Sequence, residues 1–340
     1  MKKILNQKFV TLILLLFFAI LLLSCNTDRN NEKLDKVIFM AGYKAQANLP
    51  FVAAYVAKEN GYFIEQGLDV EIRHATGGLH TKLLLSGDVQ FTTAAAASVL
   101  KRRSDQKLPL LAIALFGQRG QQSYIALKNS GIQTVNDWEG KTFGYKISPP
   151  PDYVAMLQAT GVDRSTITEV NAGFDPRVLT EGKVDILAVF KSNEPDTIRK
   201  LGFDINEWEP EDYGAPMLGL TYIVLEEFAE SNPKIVTRFL NATMKATEFS
   251  ESNPGKALEI VMKYAPDESI EHQEFMLKTE LSDAVSPLTK EQGFGWMTSN
   301  QWKTLYEFLL KHEALPNPFD YESAYDISFL TAAYETFERQ

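Results

Sequence analysis

Cysteine is nearly absent: the 340-residue chain has one, together with four histidines. A single thiol cannot build an intrachain disulfide framework, and so few soft ligands leave no metal site of the zinc kind. Basic side chains are also short, 34 against 44 acidic, for a net charge of −10, which argues against nucleic acid as a partner. No Gly-x-Ser-x-Gly elbow, phosphate-binding loop or metal motif occurs, which removes common signatures of hydrolases, nucleotide enzymes and metalloenzymes. Beyond the first two dozen residues there is no long apolar run.

What is present begins with that run. Lys2, Lys3 and Lys8 precede an apolar stretch at 9–23, shorter than the roughly 20 residues of a membrane-spanning helix, and the combination reads as an export signal. It ends in Leu22-Leu23-Ser24-Cys25, which resembles a bacterial lipobox. Residues 1–24 are therefore expected to be removed and Cys25 to be lipidated, with 25–36 as a flexible polar tether. An ordinary signal peptide with an incidental cysteine is the alternative. Loss of the three lysines in 1–24 leaves 31 basic and 44 acidic side chains, a net of −13. The remaining roughly 300 residues suffice for one large or two medium domains.

Strand and helix signals alternate from residue 37. An apolar run at 37–41 precedes a loop and a helix over 51–59, and Gly61 and Gly67 lead into an alternating strand at 68–73. A helix at 79–85, a strand at 89–92, an alanine-rich helix through Leu100 and a strand at 110–116 follow. A second cycle starts near Lys128, with strands at 142–145, 167–170 and 185–190. The alternation predicts α/β architecture with mostly parallel sheets. From Glu226 the strands stop, and Asn-Pro, Ala-Pro and Ser-Pro steps bound helices with apolar positions such as Val236, Phe239, Leu240 and Met244.

The helix ending in Gly-Tyr-Phe at 61–63, followed by Gly-Leu-Asp-Val at 67–70 and Ser-Gly-Asp-Val-Gln-Phe at 86–91, resembles the periplasmic substrate-binding proteins of ABC importers, in the branch of sulfonate, nitrate, riboflavin and thiamine-pyrimidine binders. The resemblance implies a two-lobed periplasmic-binding-protein fold (type II). Lobe 1 would comprise 37–126 and 218–340, lobe 2 would comprise 127–217, and two crossovers near 124–127 and 219–222 would flank a ligand cleft. It further implies an exported, lipid-anchored monomer facing the periplasm or cell exterior, ABC permease subunits as partners, a small-molecule ligand and no cofactor. The motifs at 115–120 and 193–197 look more like flavin and thiamine-precursor binders, a riboflavin-type heteroaromatic ligand first and a formylaminopyrimidine second. Two alternatives are a sulfonate or nitrate binder and a pyrimidine synthase holding pyridoxal phosphate on a lysine such as Lys82. The cysteine-rich motif of those synthases is absent. A signal receptor without its own transporter would share the fold.

Ligands of open α/β sheets sit outside the carboxyl ends of strands, and there the run 184–189 meets Asn193 and Glu194. A carboxylate accepts from ring N–H or amino groups, and an amide supplies either polarity. Pro195 stiffens the loop, and Asp196 or Thr197 is expected to cap the next helix. In the first lobe Gln46, Asn48, Thr92 and Thr93 occupy equivalent places, and Gly78 leaves backbone N–H groups free before a helix. Phe51, Tyr55, Phe116, Tyr153, Phe174, Trp208 and Tyr213 lie where they could line a cleft, most of them being expected in the core, and Phe51, Phe116, Tyr153 and Phe174 are the ones assigned to ring stacking. Arg119 is expected to meet an anionic ligand or to pair with Glu194 or another acid, a pair being preferred. Residues 148–152 are expected to rim the second lobe, and His74 and His80 to flank the first-lobe cleft as structural residues.

Overall fold

The computed structural model of the protein describes residues 34–75 and 77–337. The export signal, Cys25 and the tether up to residue 33 lie outside the described residues. Asp35 and Lys36, expected in the tether, instead open the first strand.

β1 (Asp35–Ala41) leads into α1 (Leu49–Glu59), where Pro50 sits in the first turn and costs no helical hydrogen bond. α2 (Tyr62–Glu65), β2 (Leu68–His74), α3 (Leu79–Leu85), β3 (Phe91–Ala95), α4 (Ala96–Gln106) and β4 (Leu110–Leu115) complete the first pass. The second holds β5 (Gln122–Leu127), β6 (Thr142–Tyr145), α5 (Pro151–Thr160), β7 (Thr168–Asn171), α6 (Arg177–Thr180), β8 (Ile186–Phe190), α7 (Glu194–Lys200) and β9 (Ile205–Trp208). After β10 (Leu220–Leu225) no further strand occurs among the described residues. The tail comprises α8 (Glu226–Ser231), α9 (Pro233–Ser252), α10 (Pro254–Tyr264), α11 (Ile270–Ala284), α12 (Pro287–Gln292), α13 (Ser299–Lys311) and α14 (Ser328–Phe337). Pro233, Pro254 and Pro287 each open a helix, as the Asn-Pro and Ser-Pro steps predict.

The strands form two five-stranded sheets, β2-β1-β3-β10-β4 and β7-β6-β8-β5-β9. Both are mixed, yet in each four strands point the same way, in line with the mostly parallel expectation, and one is reversed. β10 runs antiparallel to β3 and β4, and β5 runs antiparallel to β8 and β9. Both crossings shift. Residues 124–127 and 220–222, expected near the crossovers, lie within β5 and β10, and the chain passes between sheets just before each strand. The apolar composition of β5 and β10 marks buried strands, whereas the passages carry Gly117, Gly120 and Gly219. The two passages meet where Gly219 N–H donates to the Gly117 carbonyl at 2.9 Å.

Each lobe has its own core. In the first, α1 is buried over 49–57, and Phe239 of α9 stacks on Phe91 at 3.9 Å while Tyr222 meets Phe39 edge-on. Burying side chains of this size stabilises by about 1.5–3 kcal/mol each. In the second, Tyr153 stacks on Phe143 at 3.9 Å beside Trp138. No helix of the described residues is long and apolar enough to cross a membrane.

Candidate functional site

A cavity of about 600 Å³ lies between the lobes, walled by residues that follow β1, β6, β7 and β8 and by the end of β3. Six of the residues predicted from sequence line it: Asn48, Phe51, Gly78, Thr93, Phe174 and Asn193. Asn48 and Phe51 are placed by the start of α1, Thr93 by β3, Phe174 by the loop after β7, and Asn193 by the turn between β8 and α7.

The other six are set back. Gln46 is buried behind Asn48, donating to its Oδ1 at 2.5 Å and accepting from Asn193 Nδ2 at 3.4 Å. Thr92 donates its hydroxyl to the Met40 carbonyl inside the sheet. Strand alternation turns Phe116 into the core, edge-on to Tyr222 at 4.6 Å. Tyr153 lies on the inner face of α5 with Met156 and Leu157. Glu194 is buried, 2.5 Å from Lys146 Nζ, and accepts the Phe190 N–H at 2.8 Å. Arg119 is exposed and makes no pair with Glu194. The partner of Glu194 is instead Lys146, because Lys146 follows β6 directly beside β8. Neither Asp196 nor Thr197 caps α7. Asp196 turns instead to His272 and Lys200. Pro150 and Pro151 do line the cavity, while Asp152 is buried and accepts from the Tyr124 hydroxyl at 2.9 Å.

Several residues not singled out as contacts complete the wall. Tyr43 stacks on Phe174 across the two lobes at 5.0 Å and 25°, and Lys146 Nζ stands 4.2 Å over the Phe190 ring. Tyr43, Lys146 and Phe190 each lie at or just past a strand's carboxyl end, so the rule that selected Asn193 also reaches them. His80, expected beside the cleft as a structural residue, lines it from α3, and Lys101 and Arg102 line it from α4 with no such signal.

The tail contributes a bracing layer that no motif announces. Glu280 of α11 accepts from Asn48 Nδ2 at 2.8 Å, the Leu49 N–H at 3.2 Å and the Ser192 hydroxyl at 2.8 Å. Burial pushes its carboxyl up, against the pull of those donors. Asp283 meets Lys191 at 3.1 Å. One helix thereby holds the Asn48 loop and the Asn193 turn together. The arrangement can enclose a small ligand between two rings and two oriented amides.

Residues 48–257 match the family described as NMT1/THI5 like. The chain is 27% identical to a formylaminopyrimidine-binding protein of Halalkalibacterium halodurans over 94% of its own length and 97% of that protein's. It is 25% identical to the riboflavin-binding protein RibY of Chloroflexus aurantiacus, with 83% of each covered. A pyrimidine phosphate synthase of Saccharomyces cerevisiae is 25% identical over 68% of this chain and 72% of that one. Among solved structures, the periplasmic aliphatic sulphonate binding protein of Escherichia coli superposes with a TM-score of 0.61 at 13% identity, covering 85% and 91%. A Candida albicans protein of the generic periplasmic binding protein fold gives 0.66 at 10% identity, covering 86% and 96%. The fold is that of the periplasmic binding proteins.

Proposed function

Because the chain belongs to the NMT1/THI5-like family, we propose that it is an exported solute-binding protein that captures a flat heteroaromatic nutrient and hands it to an ABC permease. The observation that carries this reading is the cavity, which combines the rings of Tyr43, Phe51, Phe174 and Phe190 with the amides of Asn48 and Asn193. Rings supply apolar area to the faces of a heterocycle, and amides match the donors and acceptors along its edge. Relatives named for formylaminopyrimidine and riboflavin binding support the ligand class. The motifs at 115–120 and 193–197 favour riboflavin, but the longer match to the formylaminopyrimidine-binding protein puts that pyrimidine first and riboflavin second.

In this reading one lobe is built on β1–β4, β10 and the tail, the other on β5–β9. A ligand touching both favours the closed state through contacts it lacks in the open one. Residues 1–24 act as the export signal, Cys25 carries the lipid, and the binder works as a monomer.

The enzyme alternative rests on relatives named as synthases. It requires a lysine able to hold pyridoxal phosphate. Lys82 is exposed at the rim and not enclosed in the cavity. Lys146 is engaged by Glu194.

The test is calorimetric titration of the full chain, purified in detergent, with formylaminopyrimidine, riboflavin, thiamine, taurine and nitrate. Saturable binding of the pyrimidine or the flavin supports the reading and ranks the two. Binding of taurine or nitrate alone overturns it.

A further inference from the structure

The cavity's charge runs opposite to that of the chain. In a protein of net charge −10, the wall carries Lys82, Lys101, Arg102 and Lys146, against Asp105 as its carboxylate among the described residues. Lys146 is neutralised by Glu194. Arg102 is not: it donates to the Thr81 hydroxyl and has no carboxylate partner among the described residues. Partial burial pulls its guanidinium down. A partly desolvated cation without an ion-pair partner gains from an anion that supplies the missing charge.

His80, next to Thr81 on α3, gives a second and independent sign. Its side chain is 8% exposed, it lines the same cavity, and its Nδ1 has no hydrogen-bond partner among the described residues. Burial and the Arg102 charge push the imidazole down to about 4, so at neutral pH it offers one N–H and one acceptor without adding charge. Buried polar atoms are seldom left unpaired unless a ligand or water completes them.

We infer that the α3–α4 wall is an anion subsite, in which Arg102 and His80, supported by Lys101, receive a phosphate or carboxylate carried by the ligand. The inference rests on the heteroaromatic-binding reading and narrows it: the preferred nutrient is an anionic derivative of the ring. Guanidinium is suited to such a group because its planar fork can make two parallel hydrogen bonds to one oxyanion.

Matched pairs test it. The full chain in detergent is titrated with riboflavin and riboflavin 5′-phosphate, and with hydroxymethyl-methyl-aminopyrimidine and its phosphate. The expected result is at least tenfold tighter binding of a phosphorylated member than of its neutral partner. That ratio should collapse toward one in Arg102→Gln and be only partly kept in Arg102→Lys, which retains the charge but not the fork. A ratio near one in the native protein, with both members bound, overturns the anion subsite and leaves the ring-binding reading intact. If no ring compound binds, the ring reading fails on its own, and thermal stabilisation by inorganic phosphate decides the subsite. Saturable stabilisation lost in Arg102→Gln supports it, and no stabilisation overturns it.

Discussion

His272 Nε2 lies 2.9 Å from Asn193 Oδ1, and its Nδ1 lies 2.6 Å from Asp196 Oδ2. A helix of the tail therefore fixes the face that Asn193 turns to the cavity, leaving its amino group with only a long 3.4 Å bond to Gln46. That amino group is the one free to donate to a ligand. Asn193→Ala should weaken ligand binding by about 1–3 kcal/mol. His272→Ala keeps the amide but frees its rotation, and should cost less, about 0.5–1.5 kcal/mol. Calorimetry on the two variants checks the order. Unchanged affinity in both, with native circular dichroism, would remove the amide from the site.

Glu194 stands at the strand mouth where a ring-edge acceptor was expected, yet its oxygens are occupied by Lys146 and the Phe190 N–H. Its removal should be felt in folding before binding. Glu194→Ala leaves the Lys146 ammonium without its partner in a mostly buried setting, and breaking such a pair costs about 3–5 kcal/mol. Urea denaturation measures this. A loss below about 1 kcal/mol would mean that water screens the pair.

Glu211 gives the protein a pH dependence. Its Oε1 accepts the Gly120 N–H at 2.7 Å while burial pushes the carboxyl up to about 7, with Lys191 pulling it back. The folded value lies above the unfolded one, so the native state holds the proton more tightly. The resulting stabilisation is complete below the unfolded value of about 4.5 and is lost as pH rises through 7. Asp152, pushed up to about 6 by burial, acts in the same sense. Glu211→Gln keeps an acceptor for Gly120 and carries no charge. It should stabilise at pH 8 by about 1–3 kcal/mol, allowing for partial exposure, and change little at pH 4. Equal effects at both pH values would show that the carboxyl does not titrate as stated.

The sequence made β6 legible over 142–145 and α3 over 79–85, because each is a short apolar pattern closed by turn residues. It also placed Asn193, Phe174 and Asn48, since position after a strand end is a local property. The direction of β5 and β10 was not legible. A buried strand is apolar whether its neighbours run parallel or antiparallel, so composition carries no direction. Phe116 and Tyr153 were misplaced for a related reason: an aromatic near a strand end serves a core as well as a ligand, and only the phase of strand or helix decides. Glu280 and His272 were out of reach because their roles depend on α11 returning to the cleft, a contact more than 75 residues distant in the chain from Asn193.

Gly117 and Gly219 mark where the chain passes between lobes, and their separation allows no side chain. A Cβ on Gly219 would lie 2.8 Å from both Gly117 Cα and the Arg119 carbonyl, and one on Gly117 would lie 2.8 Å from Gly219 Cα. These obstacles are backbone, so neither can swing aside, and Gly219→Ala should cost about 1–3 kcal/mol of stability. Gly255, in the first turn of α10, meets nothing within 4 Å. Gly255→Ala should therefore stabilise by about 0.4–1 kcal/mol through the unfolded chain. Urea midpoints of the two variants should move in opposite directions. Because the Gly219 clash falls on a segment joining the lobes, Gly219→Ala should also blunt the ligand-dependent fall in radius of gyration seen by small-angle scattering, whereas Gly255→Ala should leave it as in the native protein. If both variants gave the same stability and the same closure, close backbone approach would not be what these glycines provide.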